Sequence, residues 1–400
     1  QNGQLLIEAD TASIHGNSLK NLSVEMLEVA SDKTSVLSAT SDLKIDTSAL
    51  GYWLTESPIS NFTQSVAEQI DISGELAVSV DLDIPVSDGN DHVEVGYLIT
   101  ANLDGAEIYH KDSEILFSDV VGSLQVSADK GVTANNLQLT VFDDVARLSI
   151  ETKFDDHTYD RLISAHEDDA FDDLYKTVFE LDGGTDIAEI FRFLGYQSTA
   201  FTSGELQYNA LLELPNHQYL FPKVAIKSDL VGVQRDWPIP FEKNAGDKEA
   251  LTVSMLLKPD QIYLDVLLDT HTDQSIESEL LFIDNTFSFG EILVNGRVLK
   301  QPDVSGLNIS ANLTEIKLFP WIDFIDQLSS QFQSDETKSE PSIIKLIELS
   351  SEYTQAFGQS FKDTEAIIKQ KDERWQVGLS GSDISGQVFL ENENEKLEVK

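Results

Sequence analysis

The sequence predicts a mainly β protein, laid out as an antiparallel meander with a few α-helices packed on or capping the sheet. Three observations carry this: apolar and polar residues alternate with a period of two over many segments, turn-forming residues separate those segments, and helical spacing is confined to short stretches. Of 400 residues, 41% are apolar and 8% aromatic, enough for a core and inconsistent with global disorder.

The clearest strand is Glu75–Val86. Leu76, Val78, Val80, Leu82, Ile84 and Val86 fall on one side, and Glu75, Ser79, Asp81 and Asp83 on the other, which gives one apolar and one wetted face. The alternation returns in Val93, Val95, Tyr97 and Ile99, in Leu137, Leu139 and Val141, and in Ala146, Leu148 and Ile150. Later it recurs in Leu251, Val253, Met255 and Leu257 and in Ile262, Leu264, Val266 and Leu268. Turns are expected at 87–90, 129–131, 244–247 and Asn295-Gly296, where Gly, Asn, Asp and Ser supply the required backbone freedom.

Helical spacing joins Phe171, Leu174, Tyr175 and Val178 after an acidic run, and likewise Ile187, Ile190, Phe191 and Leu194. Pro320 suits a first helical turn and is followed at helical intervals by Trp321, Phe324, Ile325, Leu328 and Phe332. Residues 334–341 read as a linker, and Ile343, Ile344, Ile347 and Phe357 as one more helix. Such stripes are more often core contacts than cofactor boxes.

One internal repeat is visible. ISGELAVSVDLDIP (Ile72–Pro85) and TSGELQYNALLELP (Thr202–Pro215) match at Ser73/Ser203, Gly74/Gly204, Glu75/Glu205, Leu76/Leu206, Leu82/Leu212 and Pro85/Pro215, at a constant offset of 130 residues. The second copy adds Leu206, Tyr208, Leu212 and Leu214 to the alternating set. The chain is accordingly divided into a strand segment with a helical end (1–70), a first repeat unit with acidic helices (71–200), a second ending in the Trp helix (201–333), and a linker, helix and closing strands (334–400).

With 27 Lys and Arg against 70 Asp and Glu, the net charge is −43. Such a surface repels phosphate backbones, and no basic stripe offsets it, so nucleic acid is excluded as a partner. The acidity reads first as a solvated surface; a sharper reading makes Asp81, Asp83, Asp88 and Asp91 calcium ligands, without an EF-hand pattern. There is no Cys, hence no disulfide or thiolate metal site, and no apolar run near the 18 or so residues of a membrane span.

Nothing points to catalysis or to a cofactor. The seven histidines (15, 92, 110, 157, 166, 217 and 271) form no metal-binding spacing, phosphate-cradling glycine loops are absent, and Gly378-Leu379-Ser380-Gly381 has the wrong spacing for a nucleophile elbow. On pattern alone, a pair of closed β-sandwiches fits the alternation, and so does an acidic, calcium-stabilised adhesin or binding module.

LVGVQRDWPIPFEKNAGDKEALTV (Leu230–Val253) resembles a signature of the YhdP family of large AsmA-like envelope proteins, carried here by Leu230, Gly232, Val233, Pro238, Pro240, Phe241, Lys243, Ala245, Leu251 and Val253. Gly306–Trp321 resembles the family's strand leading into a Trp helix, Trp375–Leu390 its closing strand pair, and Val121–Ile150 the general AsmA pattern; together they span about the latter two-thirds of the chain. The strong acidity departs from the family pattern. The resemblance implies an elongated, twisted antiparallel sheet forming an apolar groove, and a non-enzymatic role. The groove would carry phospholipid acyl chains between inner and outer membranes, with membrane proteins as partners at its two ends. It further implies an internal, periplasmic portion of a protein whose inner-membrane anchor lies outside this chain. Roughly 20 strands at about 4.8 Å would extend about 90 Å. The groove-lining residues would be Leu76, Val78, Val80, Leu82, Ile84, Val95, Tyr97, Ile99, Leu137, Leu139, Val141, Leu148, Ile150, Leu206, Tyr208, Leu212, Leu214, Val253, Met255, Leu257, Ile262, Leu264 and Val266.

Overall fold

The structure is a computed structural model. It describes residues 5–14, 17–28, 35–46, 69–86, 95–154, 175–193, 199, 201–216, 220–296, 306–321, 323–324, 327, 343–356, 358–371, 374–383, 385–391 and 398–399. The chain is mainly β, with sheet that stays open rather than closing into a barrel. It divides into two units: Gln1–Gly183 with Leu211–Leu220, and Gly184–Ala210 with Phe221–Lys400.

In the first unit, β1 (Leu5–Ile14), β2 (Asn17–Glu28) and β3 (Ser35–Asp46) form a meander that continues through β4 (Ile70–Ser73) and β5 (Glu75–Val86). It runs on through β6 (Gly96–His110), β7 (Ile115–Ser127), β8 (Gly131–Val141), β9 (Asp144–Phe154) and β10 (Tyr175–Asp186), antiparallel throughout. β4 and β5 both pair with β6 and are separated only by Gly74 (φ 111°).

A line of irregularities crosses these strands at Gly105 (φ 76°) in β6, Asp119 (φ 50°) in β7 and Asn136 (φ 54°) in β8. Each inserts an extra residue, which reverses the in-out parity of the strand. The apolar residues reverse parity at the same points, from Leu103 to Ala106, from Phe117 to Val120 and from Ala134 to Leu137, so they stay on one face. The β8–β9 hairpin turns on Phe142-Asp143 (φ 51° and 63°), both left-handed as a type I′ turn demands.

The second unit contains α1 (Ile187–Phe193), β12 (Lys223–Ser228) and β13 (Val233–Arg235), and β11 (Thr202–Pro215) begins in it, its residues from Leu211 on being assigned to the first unit. Asp186 accepts a hydrogen bond from the Ala188 amide at 2.8 Å and so caps α1, and Glu189 pairs with Arg192 along it. The main ladder is β12, β14 (Ala250–Lys258), β15 (Gln261–Asp269), β16 (Ser275–Ile283), β17 (Thr286–Val294), β18 (Gly306–Lys317), β19 (Ile344–Ala356), β20 (Gln359–Lys371), β21 (Arg374–Ser380), β22 (Ser385–Glu391) and β23 (Glu398–Val399). β13 stands outside it, pairing with the start of β11.

Three expectations are corrected. Tyr175 and Val178 lie in β10, not a helix: Tyr175, Thr177, Phe179 and Leu181 meet Phe154, Thr152, Ile150 and Leu148 of β9, and this cross-strand pairing outweighs the helical spacing. Ile344 and Ile347 belong to β19, where Ile347 lies between Ile309 and Ile368. The ladder is not uniformly antiparallel, since β18 is parallel to both neighbours. Its connections, residues 295–305 and 318–343, are long enough for the crossovers that parallel pairing requires. The helical readings at Ile187–Phe191 and at Pro320, Trp321 and Phe324 are borne out. Phe171, Leu174, Leu194, Ile325, Leu328, Phe332, Phe357 and the 334–341 linker lie outside the described residues.

Candidate functional site

Residues paired across a ladder point to the same side of a sheet, so the registers define each face directly. In the second unit, Ile226, Val253, Val266, Ser278, Ile292, Ile309, Ile347, Ile368 and Val377 form one unbroken row across the strands from β12 to β21, with Ser278 its single polar member. All of them are half-buried. Beside it runs a second row of Val224, Met255, Leu264, Leu280, Gly290 and Leu307. Gly290 leaves room there for the Leu280 and Leu307 side chains, whose methyls lie 2.6 and 3.2 Å from where a Cβ would stand. Leu257, Ile262, Phe282 and Phe287 close this side at the hairpin rim, the two Phe rings meeting edge-on at 5.7 Å. The opposite face carries carboxylates in register, Asp265, Glu279 and Glu291.

The third row, Leu251, Leu268, Ile276, Val294, Ala311 and Leu349, lies at the other rim and is covered. Leu206, Leu230 and Val233, with Ile187 and Ile190 of α1 and Tyr208, pack on Leu251 and Leu268. Phe241, Trp237 and Trp321 pack on Ile276, Val294, Ala311 and Leu349. Trp321 meets Phe241 at 5.9 Å and Phe324 at 5.8 Å, and Phe324 in turn meets Trp237 and Phe201. This aromatic cap bounds the apolar floor on one side.

Buried polar bonds pin the cap. Arg235 Nη2 donates to both Glu249 oxygens at 3.1 and 2.9 Å, and its Nε donates to the Phe241 carbonyl at 2.7 Å. The Glu249 side chain is 0% exposed, and its Oε1 lies 2.8 Å from His271 Nδ1 on the β15–β16 turn. Lys243 Nζ donates to the carbonyls of Leu230, Val233 and Asn244 at 2.7, 2.8 and 3.1 Å, and burial pushes its pKa below the ordinary lysine value. Thr272 Oγ1 donates to Pro240 O at 2.9 Å, tying the Pro-x-Pro segment to the same turn. Asp247, accepting from the Asn244 side chain and amide, and Asp229, accepting from the Val231 amide, are both held below the usual carboxylate pKa.

In the first unit the corresponding row is Leu19, Leu43, Val78, Ala101, Leu124, Ala134, Ile150 and Phe179. It is more closed. Leu76, Val78, Leu137, Leu139, Val141 and Ile150 are buried in two clusters, while Val80, Leu82, Ile84, Tyr97, Ile99 and Leu148 are half-buried. Val95 directly precedes β6. Of the residues expected to line a groove, Val253, Met255, Leu257, Ile262, Leu264 and Val266 share the half-buried floor of the second unit. Leu206 and Tyr208 belong to its cap, and Leu212 and Leu214 are half-buried in β11. Arg235, Glu249 and His271 escape sequence reasoning, because a lone Arg among many carboxylates carries no pattern that marks it as buried.

Asp81 and Asp83 lie on the wetted face of β5, and Asp88 and Asp91 fall outside the described residues. Among the described residues no cluster of His, Asp and Glu is placed to hold a metal ion, and no helix is long and apolar enough to cross a membrane. Comparison with curated proteins and with solved structures gives no match. The sequence model of the family described as "YhdP protein" matches residues 1–400, and the chain belongs to that family.

Proposed function

We propose that this chain is part of a periplasmic lipid-transfer bridge, in which the half-buried apolar floor of the second unit holds phospholipid acyl chains in transit between inner and outer membranes. The observation that carries the reading is the Ile226–Val377 row: of the nine strands it crosses, eight present a β-branched side chain in register and one presents Ser278, without the burial of a sealed core. A one-sided apolar sheet gains about 25 cal/mol for each Å² of apolar surface withdrawn from water, and acyl chains satisfy that demand without needing hydrogen-bond partners. The role is to hold rather than to react, with membrane proteins at either end of the full-length bridge as partners and nucleic acid repelled by the charge. The buried clusters of the first unit favour a closed core there, so loading is assigned to the second.

Lipid mass spectrometry of the chain purified from a bacterial host tests this. Co-purifying phospholipid is the expected result, and lipid-free protein with the floor residues fully protected by protein contacts would sink the reading.

A further inference from the structure

Ser278 breaks the apolar floor of the second unit at one point. It is the one polar side chain in the rows described above, and its hydroxyl has no hydrogen-bond partner among the described residues. Val266 and Ile292 flank it in register on the neighbouring strands. Along β16, Ile276 stands two residues away under the aromatic cap, and Leu280 two residues away in the open second row. The hydroxyl therefore sits where the capped row gives way to the open floor, half-buried rather than sealed. The rest of its row is Val and Ile, the residues that best fit a pleated apolar surface, and Ser brings no such packing.

In the unloaded chain, water satisfies this hydroxyl. Once hydrocarbon covers the row that water is displaced, and a hydroxyl left without a partner opposes loading. The cargo must then bring an acceptor to this point. Methylenes and the terminal methyl carry none. Phosphate is charged and needs more solvation than one hydroxyl supplies. An ester carbonyl fits: it is neutral, it only accepts hydrogen bonds, and it is joined directly to the tail.

The row has room for that tail. From Ser278 toward β21, Ile292, Ile309, Ile347, Ile368 and Val377 follow without a polar residue. Five strand spacings of about 4.8 Å make about 24 Å. An extended sixteen-carbon tail, with bonds of about 1.5 Å and angles near 111°, measures about 20 Å. Toward β12 the run through Val266, Val253 and Ile226 is only about 14 Å.

We propose that the Ser278 hydroxyl donates a hydrogen bond to an ester carbonyl of the bound lipid, so that this residue selects ester-linked over ether-linked lipids and sets where the polar end of a tail rests. This depends on the lipid-holding reading above and adds to it one donor and the chemical class that the donor selects.

The experiment uses the full chain, stripped of lipid and equilibrated with vesicles containing equal amounts of diacyl phosphatidylethanolamine and its dialkyl-ether counterpart. The two share headgroup and tail length and differ in the carbonyls. Bound lipid is read by mass spectrometry for wild type, Ser278→Ala and Ser278→Thr. Wild type should take up the diacyl lipid about fivefold in preference, the equivalent of about 1 kcal/mol for one hydrogen bond. Ser278→Ala should bring the ratio to about one, and Ser278→Thr, which keeps the hydroxyl, should retain the preference. A ratio of one in wild type overturns the proposal while leaving lipid binding intact, and means that the hydroxyl meets only water or the shared headgroup. A preference that survives in Ser278→Ala, or is lost in Ser278→Thr, overturns it too. Absence of bound lipid in wild type overturns the lipid-holding reading itself.

Discussion

Arg235 and Glu249 show how one buried pair organises the cap. Glu249 accepts from Arg235 and lies against His271, while Arg235 also holds the Phe241 carbonyl, so three segments converge on one carboxylate. Removing one partner strands the other charge out of water: Arg235→Met should cost about 3–5 kcal/mol, whereas Arg235→Met with Glu249→Met should recover most of it. Urea unfolding followed by Trp237 and Trp321 fluorescence measures both; equal losses in single and double variants would mean the pair is not desolvated. The acid side of the cap has its own sign. Asp229 and Asp247 are held below their unfolded pKa by hydrogen bonds, so their contribution is present above about pH 4 and lost as pH falls through the folded values. Amide exchange in 229–249 should therefore accelerate below about pH 4 before the strands of the floor open, and Asp247→Asn should flatten that dependence.

At the scale of elements, the repeated Ser-Gly-Glu-Leu motif has the same backbone in both copies but different surroundings. Gly74 and Gly204 adopt φ of 111° and 105°, a region that L side chains avoid. A Cβ on Gly204 would stand 2.1 Å from the Gly232 carbonyl oxygen, whereas one on Gly74 would meet the Ala106 Cα at 3.1 Å. Gly204→Ala should thus be the more damaging by about 1–3 kcal/mol, because backbone of the β13 turn must move, and thermal unfolding of the two variants decides it. The alternation of Glu75–Val86 was legible because β5 runs without a bulge to Val86. The parity reversals at Asp119 and Asn136 were not, since Asp and Asn occur in strands, turns and bulges alike and only the paired strand reveals which. Helical spacing misled at Tyr175 and Ile344, where short apolar runs satisfy both periods and the neighbouring strand arbitrates. In the cap, Pro238, Pro240, Phe241 and Lys243 were visible as a motif, but that Lys243 would hold three carbonyls was a fact of the folded loop.

For the molecule as a whole, what matters is whether its apolar surface is a core or a floor, and substitutions in the two units separate these. Leu139 is 1% exposed within the main cluster of the first unit. A carboxylate there has neither water nor partner, and Leu139→Asp should destabilise by more than about 4 kcal/mol. Val266 is half-buried in the middle row of the second unit, between Val253 and Ser278. If that row is open, the Asp of Val266→Asp stays hydrated in the unloaded chain and costs about 1 kcal/mol or less. A bound acyl chain would, however, press hydrocarbon on the charge, so loading should fall while the fold persists. Thermal unfolding and lipid mass spectrometry on the same two variants give the test. Loss of fold in Leu139→Asp, with loss of lipid but not of fold in Val266→Asp, is the outcome for a lipid floor. Unfolding of both would make the second unit's face a sealed core and remove the basis for lipid carriage.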